Sequence, residues 1–263
     1  MPEKPAGIQS VGNAGARTAS PERRRPEPEA LELTVVHEDD SLIVVNKPPG
    51  MVVHPTYKNT SGTLLNGLLW HVRGRAGVLP SIITRLDKNT SGLVLVALSP
   101  EVHARVQRDA SAGQVKKEYL ALVRGTPTPR SGSISLPLAR SPEDRRLVIV
   151  TLDGQASETR YEVLSSSSGP DPSPACGPDL VRSGYSLVRC ELVTGRSHQI
   201  RVHFAAVGHP ILGDPTYGEA HATMTRQALH AWRLTLRHPV SGELLHVEAE
   251  LPADFQALLT PVP

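Results

Sequence analysis

From Leu31 onward, apolar positions fall into short blocks with the period of strands, interrupted by three stretches with helical spacing. Leu33-Thr34-Val35-Val36 and Leu42-Ile43-Val44-Val45 predict two strands around the turn Glu38-Asp39-Asp40, and Lys47-Pro48-Pro49-Gly50 breaks the second. Leu64, Leu65, Leu68 and Leu69 share a helical face, which predicts a helix capped by Thr60 or Ser61 and ended by Gly74 or Gly77. The uninterrupted apolar run from Gly92 to Leu98 predicts a strand buried on both faces. Ser99 as cap and Pro100 at the first helical position open a second helix, with Val102 and Val106 inward and its end by Gly113.

A strand over Lys117 to Val123 follows, then short β-rich segments through Tyr161-Glu162-Val163-Leu164. Residues 165–184 hold six Ser, four Pro and three Gly, which predicts a surface loop or small insertion within one domain. Val188, Cys190 and Leu192 alternate with Arg189 and Glu191, so Cys190 is expected in the core and not as a nucleophile. A third helix is predicted from Ser197 to Val207, closed by Gly208 with Pro210 beyond. Leu229 to Leu236 and Leu244 to Leu251 complete the strands. Strands come in runs and outnumber helices, so residues 31–263 are expected to form one α+β domain on a mixed or antiparallel sheet. Residues 1–30 contain five Pro and three Gly and follow neither period, which predicts a disordered tail; its Arg23-Arg24-Arg25 run is flanked by Glu22, Glu27 and Glu29.

Composition narrows the function classes. The 28 basic residues nearly balance the 26 acidic ones, leaving +2 over 263 residues, so no global field announces a polyanion and local clusters must carry any nucleic-acid case. Arg outnumbers Lys 22 to 6, which suits bidentate phosphate contacts and stacking on bases. No apolar run approaches the ~18 residues of a spanning helix, so no membrane is expected. The N-terminus has no apolar signal-peptide core, and two ungrouped cysteines form neither a disulfide framework nor a zinc site; a reducing, cytoplasmic setting is expected. Glycine-rich phosphate loops, His-Glu-x-x-His, Gly-x-Ser-x-Gly and Cys-x-x-Cys do not occur, so neither a nucleotide cofactor nor a catalytic metal is expected.

Two segments concentrate chemistry. Arg85-Leu86-Asp87-Lys88-Asn89-Thr90-Ser91-Gly92 puts a carboxylate between two cations at the entrance of the most apolar strand. Such a carboxylate suits a nucleophile or a stabiliser of a cationic sugar centre, and equally a loop aspartate that caps a turn and pairs with Arg85. Gly195-Arg196-Ser197-His198-Gln199-Ile200-Arg201-Val202-His203 places two Arg, two His and a Gln at a helix N-terminus, an arrangement that attracts anions. Its apolar neighbours Ile200, Val202 and Phe204 imply an enclosed helix, so Arg201 needs a carboxylate, and Asp87 is the expected partner.

These segments, with Asn46-Lys47-Pro48-Pro49-Gly50-Met51-Val52-Val53-His54-Pro55, Lys117-Glu118-Tyr119, Gly208-His209-Pro210-Ile211-Leu212-Gly213-Asp214 and Tyr217-Gly218, resemble the RluA-type RNA pseudouridine synthases in order and spacing from about Val35 to Val247. The resemblance implies one catalytic domain around a long mixed sheet, flanking helices and a central active-site cleft. It implies isomerisation of uridine to pseudouridine in ribosomal or transfer RNA, without cofactor or metal, by a monomer needing no protein partner. Asp87 takes the place of the family's catalytic aspartate, Tyr119 that of the tyrosine packing on uracil, and Arg201 that of the basic residue paired with the aspartate. Arg85 takes the position that displaces the base and holds the backbone; Lys88, Arg196, His198 and Gln199 are the further candidates for RNA contact.

Thr84 departs from the family's usual His, which removes a group that stacks and titrates from the base-displacing position. The RNA-binding S4 domain of many members is not expected, because residues 1–30 are too short and polar to form it. A glycoside hydrolase would want two carboxylates across the scissile bond, and Gly213-Asp214-Pro215 reads as a turn. A binding protein without catalysis has no need for Asp87, Tyr119 and Arg201 together.

Overall fold

The computed structural model describes residues 26–167 and 184–259. Most of the expected tail, including Arg23-Arg24-Arg25, and residues 168–183 of the expected 165–184 loop lie outside the described residues. The strands are β1 (Val35–Glu38), β2 (Leu42–Lys47), β3 (Ser81–Ile82), β4 (Ser91–Ala97), β5 (Lys116–Arg124), β6 (Ser131–Ser135), β7 (Leu138–Arg140), β8 (Val148–Val150), β9 (Glu158–Ser166), β10 (Tyr185–Leu192), β11 (Leu229–Arg237) and β12 (Leu244–Glu248). The helices are α1 (Leu64–His71), α2 (Pro100–Ser111), α3 (Gln199–Ala206) and α4 (Ala253–Leu259).

One sheet of ten strands runs in the order β1-β2-β4-β11-β5-β10-β9-β6, with β12 also on β11 and β3 also on β4, while β7 and β8 form a separate hairpin. Its ladders are antiparallel except between β4 and β11. The fold is therefore α+β on a long mixed sheet, as expected.

Strand β4 is buried throughout, and alternation along it serves two cores. Leu93, Leu95 and Ala97 face α2 through Val102 and Val106. Val94 and Val96 face α1 through Leu64 and Leu68. A third core joins β5, β10 and α3 around Leu122, Val188, Cys190 and Phe204, with Cys190 fully buried and its thiol pushed up by burial.

Several boundaries differ from expectation. Helix α1 is capped by Thr63 and not by Thr60 or Ser61; Thr63 and Asn66 form a reciprocal capping box. The Asn66 amide donates to the Glu27 carbonyl at 2.7 Å, and the Gly62 N–H donates to the Glu29 carboxylate at 2.9 Å, so the chain joins the body before residue 31. Ser165 and Ser166 belong to β9, which pairs with β10. Strand β12 stops at Glu248, and residues up to 251 do not extend it. The reason lies in β11: the edge that β12 occupies up to Arg233 is taken by β4 at His230 and Ala231. Helix α4, anchored by the fully buried Phe255, was not expected, since one inward residue leaves no period to read.

The parallel contact depends on Gly92. Its φ is +110°, and a Cβ there would lie 2.2 Å from the Ala231 carbonyl oxygen. Gly92→Ala is therefore expected to cost about 2 kcal/mol or more in urea unfolding; a loss under ~0.5 kcal/mol, the scale of a neutral surface change, would show that β4 and β11 have room to part.

Candidate active site

The sheet order brings the candidate residues together. Gly92 of β4 lies beside Ala231 of β11, and Ala231 beside Tyr119 of β5. The loop 83–90 enters β4 at this point and carries Asp87, whose side chain is 28% exposed. Three consecutive carbonyls of that loop are tied down: Asp87 O accepts from Thr90 N–H at 3.1 Å, Lys88 O from Gly50 N–H at 2.9 Å and the Lys47 ammonium at 3.1 Å, and Asn89 O from Arg226 at 3.1 Å. Lys47 is fully buried and also donates to the carbonyls of Pro48 and Met51. Burial, together with the nearby Arg226 cation, draws its pKa down to about 7 against the pull of Asp87. Arg226 is itself gripped by Asp254 of α4 at 2.7 and 2.8 Å.

Helix α3 supplies Arg201. Its Nε and Nη2 donate to the two oxygens of Asp214 at 2.7 and 2.8 Å, and its Nη1 donates to Asp87 Oδ2 at 2.8 Å. Asp214 is fully buried and Arg201 nearly so, at 6% side-chain exposure. Burial opposes both charges, yet the pairing wins: the arginine's pKa is raised further, and Asp214 is held below the usual carboxylate range with added hydrogen bonds from the Thr216 and Tyr217 amides. Tyr217 sits under the guanidinium, 5.0 Å from it to the ring centre.

Tyr119 is buried, and both burial and the neighbouring Asp87 charge push its phenol pKa up, so it stays protonated. His198 lies just before α3 with Nδ1 2.8 Å from the Tyr217 hydroxyl and Nε2 3.8 Å from Asp87 Oδ1. Asp87, Tyr119, Arg201 and His198 thus converge. Arg85 and Lys88 are exposed on the Asp87 loop. Arg85 acts on His54, whose pKa is lowered chiefly by burial and further by that cation. Thr84 accepts from the Leu95 N–H at 2.8 Å, so its hydroxyl serves the strand pairing.

The third helix starts at Gln199 and not at Ser197. Its N-terminus does not present an anion site: Arg201 faces two carboxylates, and Gln199 is buried with its amide committed to Thr194, the Arg196 N–H, the Glu158 carbonyl and Thr159. Gln199 therefore offers no free polar atom to RNA as it stands; it holds the loop that carries Arg196, which is exposed. Asp214 turns the chain as expected, but its larger role, anchoring Arg201, was missed. So were Lys47, Arg226 and Tyr217; the sequence held a signal only in Lys47, a lysine followed by two prolines after a fully apolar strand.

A cavity of about 360 Å³ is lined by His37, Asp39, His238 and Leu245 and contains none of these residues. It lies at the Ala97 end of β4, where Leu42 pairs, whereas Asp87 precedes the opposite end. Asp87 stays partly open to solvent, at 28% side-chain exposure.

The sequence pattern described as RNA pseudouridylate synthase matches residues 41–206. The chain belongs to this family. Among its relatives, ribosomal large subunit pseudouridine synthase D of Nitrosomonas europaea is 41% identical over 241 residues, covering 88% of this chain and 65% of that protein. The protein of the same name from Zymomonas mobilis is 39% identical over 88% of this chain and 73% of its own length. The solved structure of human RNA pseudouridylate synthase domain containing 1 superposes with a TM-score of 0.66 at 27% identity, over 88% of this chain and 89% of that one. The matched span contains Asp87, Tyr119, His198 and Arg201, the residues that converge here.

Removing Arg201 from this pseudouridylate synthase site strands a buried carboxylate. Arg201→Met is expected to cost about 3–5 kcal/mol of stability, and adding Asp214→Leu to recover part of it. Additive losses in the double variant, measured by denaturant unfolding, would mean that the two residues do not act as a pair.

Proposed function

We propose that this chain isomerises one or more uridines of ribosomal RNA to pseudouridine, with Asp87 as the group that reacts at the sugar. The observation that carries this reading is the unequal state of the two carboxylates on Arg201. Asp214 is fully buried and spends both oxygens on Arg201 and backbone amides, whereas Asp87 is part-exposed and has one oxygen outside the Arg201 hydrogen bond. One reactive carboxylate suits an isomerase and fails a glycoside hydrolase, which needs two across the bond.

The chemistry requires the N1–C1′ bond to break, the uracil to rotate, a C5–C1′ bond to form and the C5 proton to leave. Asp87 initiates it either by attacking C1′ or by removing a proton from the sugar; both routes need a carboxylate held at the ribose. A nucleotide inside a stem cannot reach that carboxylate, so the target must be turned out of its stack. Tyr119 offers its ring to the uracil, and its protonated hydroxyl lies in the same neighbourhood as Asp87. Arg85, Lys88 and Arg196 are the exposed cations placed to hold the RNA backbone. The ribosomal substrate rests on the names of the relatives. No helix among the described residues is long and apolar enough to cross a membrane.

Asp87→Asn keeps the size of the side chain and removes its charge. It is expected to lower turnover by at least ~10³-fold while RNA affinity stays within about twofold, since binding rests on cationic and stacking contacts. The assay is pseudouridine formed in ribosomal and transfer RNA taken from cells without the enzyme, with excess EDTA in a parallel reaction. Turnover by the Asn variant near the wild-type rate would remove Asp87 from the chemistry, and conversion confined to transfer RNA would reassign the substrate.

A further inference from the structure

His198 is the one non-glycine residue with positive φ among the described residues, at φ 54° and ψ 14°, in the left-handed region that a β-carbon disfavours. It makes no side-chain capping bond to α3. Strain of this kind persists where surrounding contacts fix the residue; here the carbonyl accepts the Val202 N–H at 3.0 Å and the ring meets Tyr217 and Asp87.

Those contacts set where the ring proton sits. The Tyr217 oxygen accepts the Val148 N–H at 2.8 Å and lies 2.8 Å from His198 Nδ1; with that lone pair taken, we assign the hydroxyl proton to the bond with Nδ1. Nδ1 is thus the acceptor, so the neutral ring carries its hydrogen on Nε2. That nitrogen faces Asp87 Oδ1 at 3.8 Å, while Arg201 holds Oδ2 at 2.8 Å. Contacts of this kind are commonly long before substrate arrives and shorten in the complex.

We propose that His198 is a positioning residue acting through Asp87: its Nε2–H fixes the carboxylate oxygen that Arg201 leaves free and so sets the angle at which Asp87 meets the ribose. This rests on Asp87 being the reacting group. It replaces the expectation that His198 contacts RNA directly. Burial lowers the pKa of the ring most; Asp87 and Asp214 pull it back up, Arg201 and Arg140 push it further down, and the net direction is down. The Tyr217 hydroxyl also faces it, and its own pKa is raised, chiefly by burial. The ring is therefore neutral at neutral pH. Acid adds a proton to Nδ1, which ends its acceptance of the Tyr217 proton and sets a second cation against Asp87.

The test is single-turnover conversion on bound RNA, with RNA affinity and melting temperature measured beside it. His198→Phe and His198→Asn, the latter a residue that tolerates the left-handed backbone, are expected to slow the bound-RNA rate by about 10- to 100-fold with affinity within twofold. His198→Gln, which keeps an N–H of similar reach, is expected to recover part of the rate, and to lose the acid-side fall that protonation of His198 puts in the wild-type pH–rate profile. Equal rates in the Gln, Asn and Phe variants overturn the proposal, as does lost affinity with an intact rate on bound RNA. Asp87→Asn separates the two readings: its inactivity beside a fully active His198→Phe rejects the role of His198 alone, whereas its activity rejects Asp87 as the reacting group.

Discussion

The buried guanidinium of Arg201 is the constraint on which the site depends. A cation at 6% exposure is costly unless each donor is matched, and three of its nitrogens are, by two carboxylates that come from opposite sides of α3 in the sequence. Asp214 takes two of those donors and disappears from solvent. Asp87 takes one and stays partly exposed. The arginine thereby gives two chemically identical groups different fates, one sealed in the core and one, on the proposed reading, available for reaction.

Holding Asp87 also requires its backbone to be fixed, and the fold does this with cations aimed at carbonyls. Lys47 comes from the end of β2, and Arg226 from the segment before β11 with its own carboxylate on α4. Strand β4 brings the loop in, and the parallel contact at Gly92 and Ala231 places it one strand from Tyr119. Helix α4 is in this way part of the support of the loop that carries Asp87, through Asp254 and Arg226.

Much of this was legible in the residues. The apolar run of β4 required cover on both faces and has α1 and α2 there; the alternation around Cys190 buried it; and the enclosed character of the third helix demanded a carboxylate for Arg201, which is Asp87. What stayed hidden was tertiary. The turn chemistry of Asp214 is visible in Gly213-Asp214-Pro215, but its pairing with Arg201 exists only because α3 and the following loop fold together. Gln199 looked like an RNA ligand because it lies among cations, yet its amide is consumed by β9 and the loop before α3. Strand β12 ended early because β4 takes over its edge of β11, and α4 carried too little apolar pattern to announce itself.

The central claim is that Arg201 acts on the aspartates and not on the RNA. A crystal structure of the protein with an RNA carrying an unreactive uridine analogue at the target position tests it most directly. Arg201 is expected to keep its bonds to both Asp214 and Asp87, with the Asp87 oxygen that Arg201 does not hold about 3–3.5 Å from the reacting atoms of the ribose. Arg201 turned away from Asp87 to bond a phosphate in that complex would contradict it.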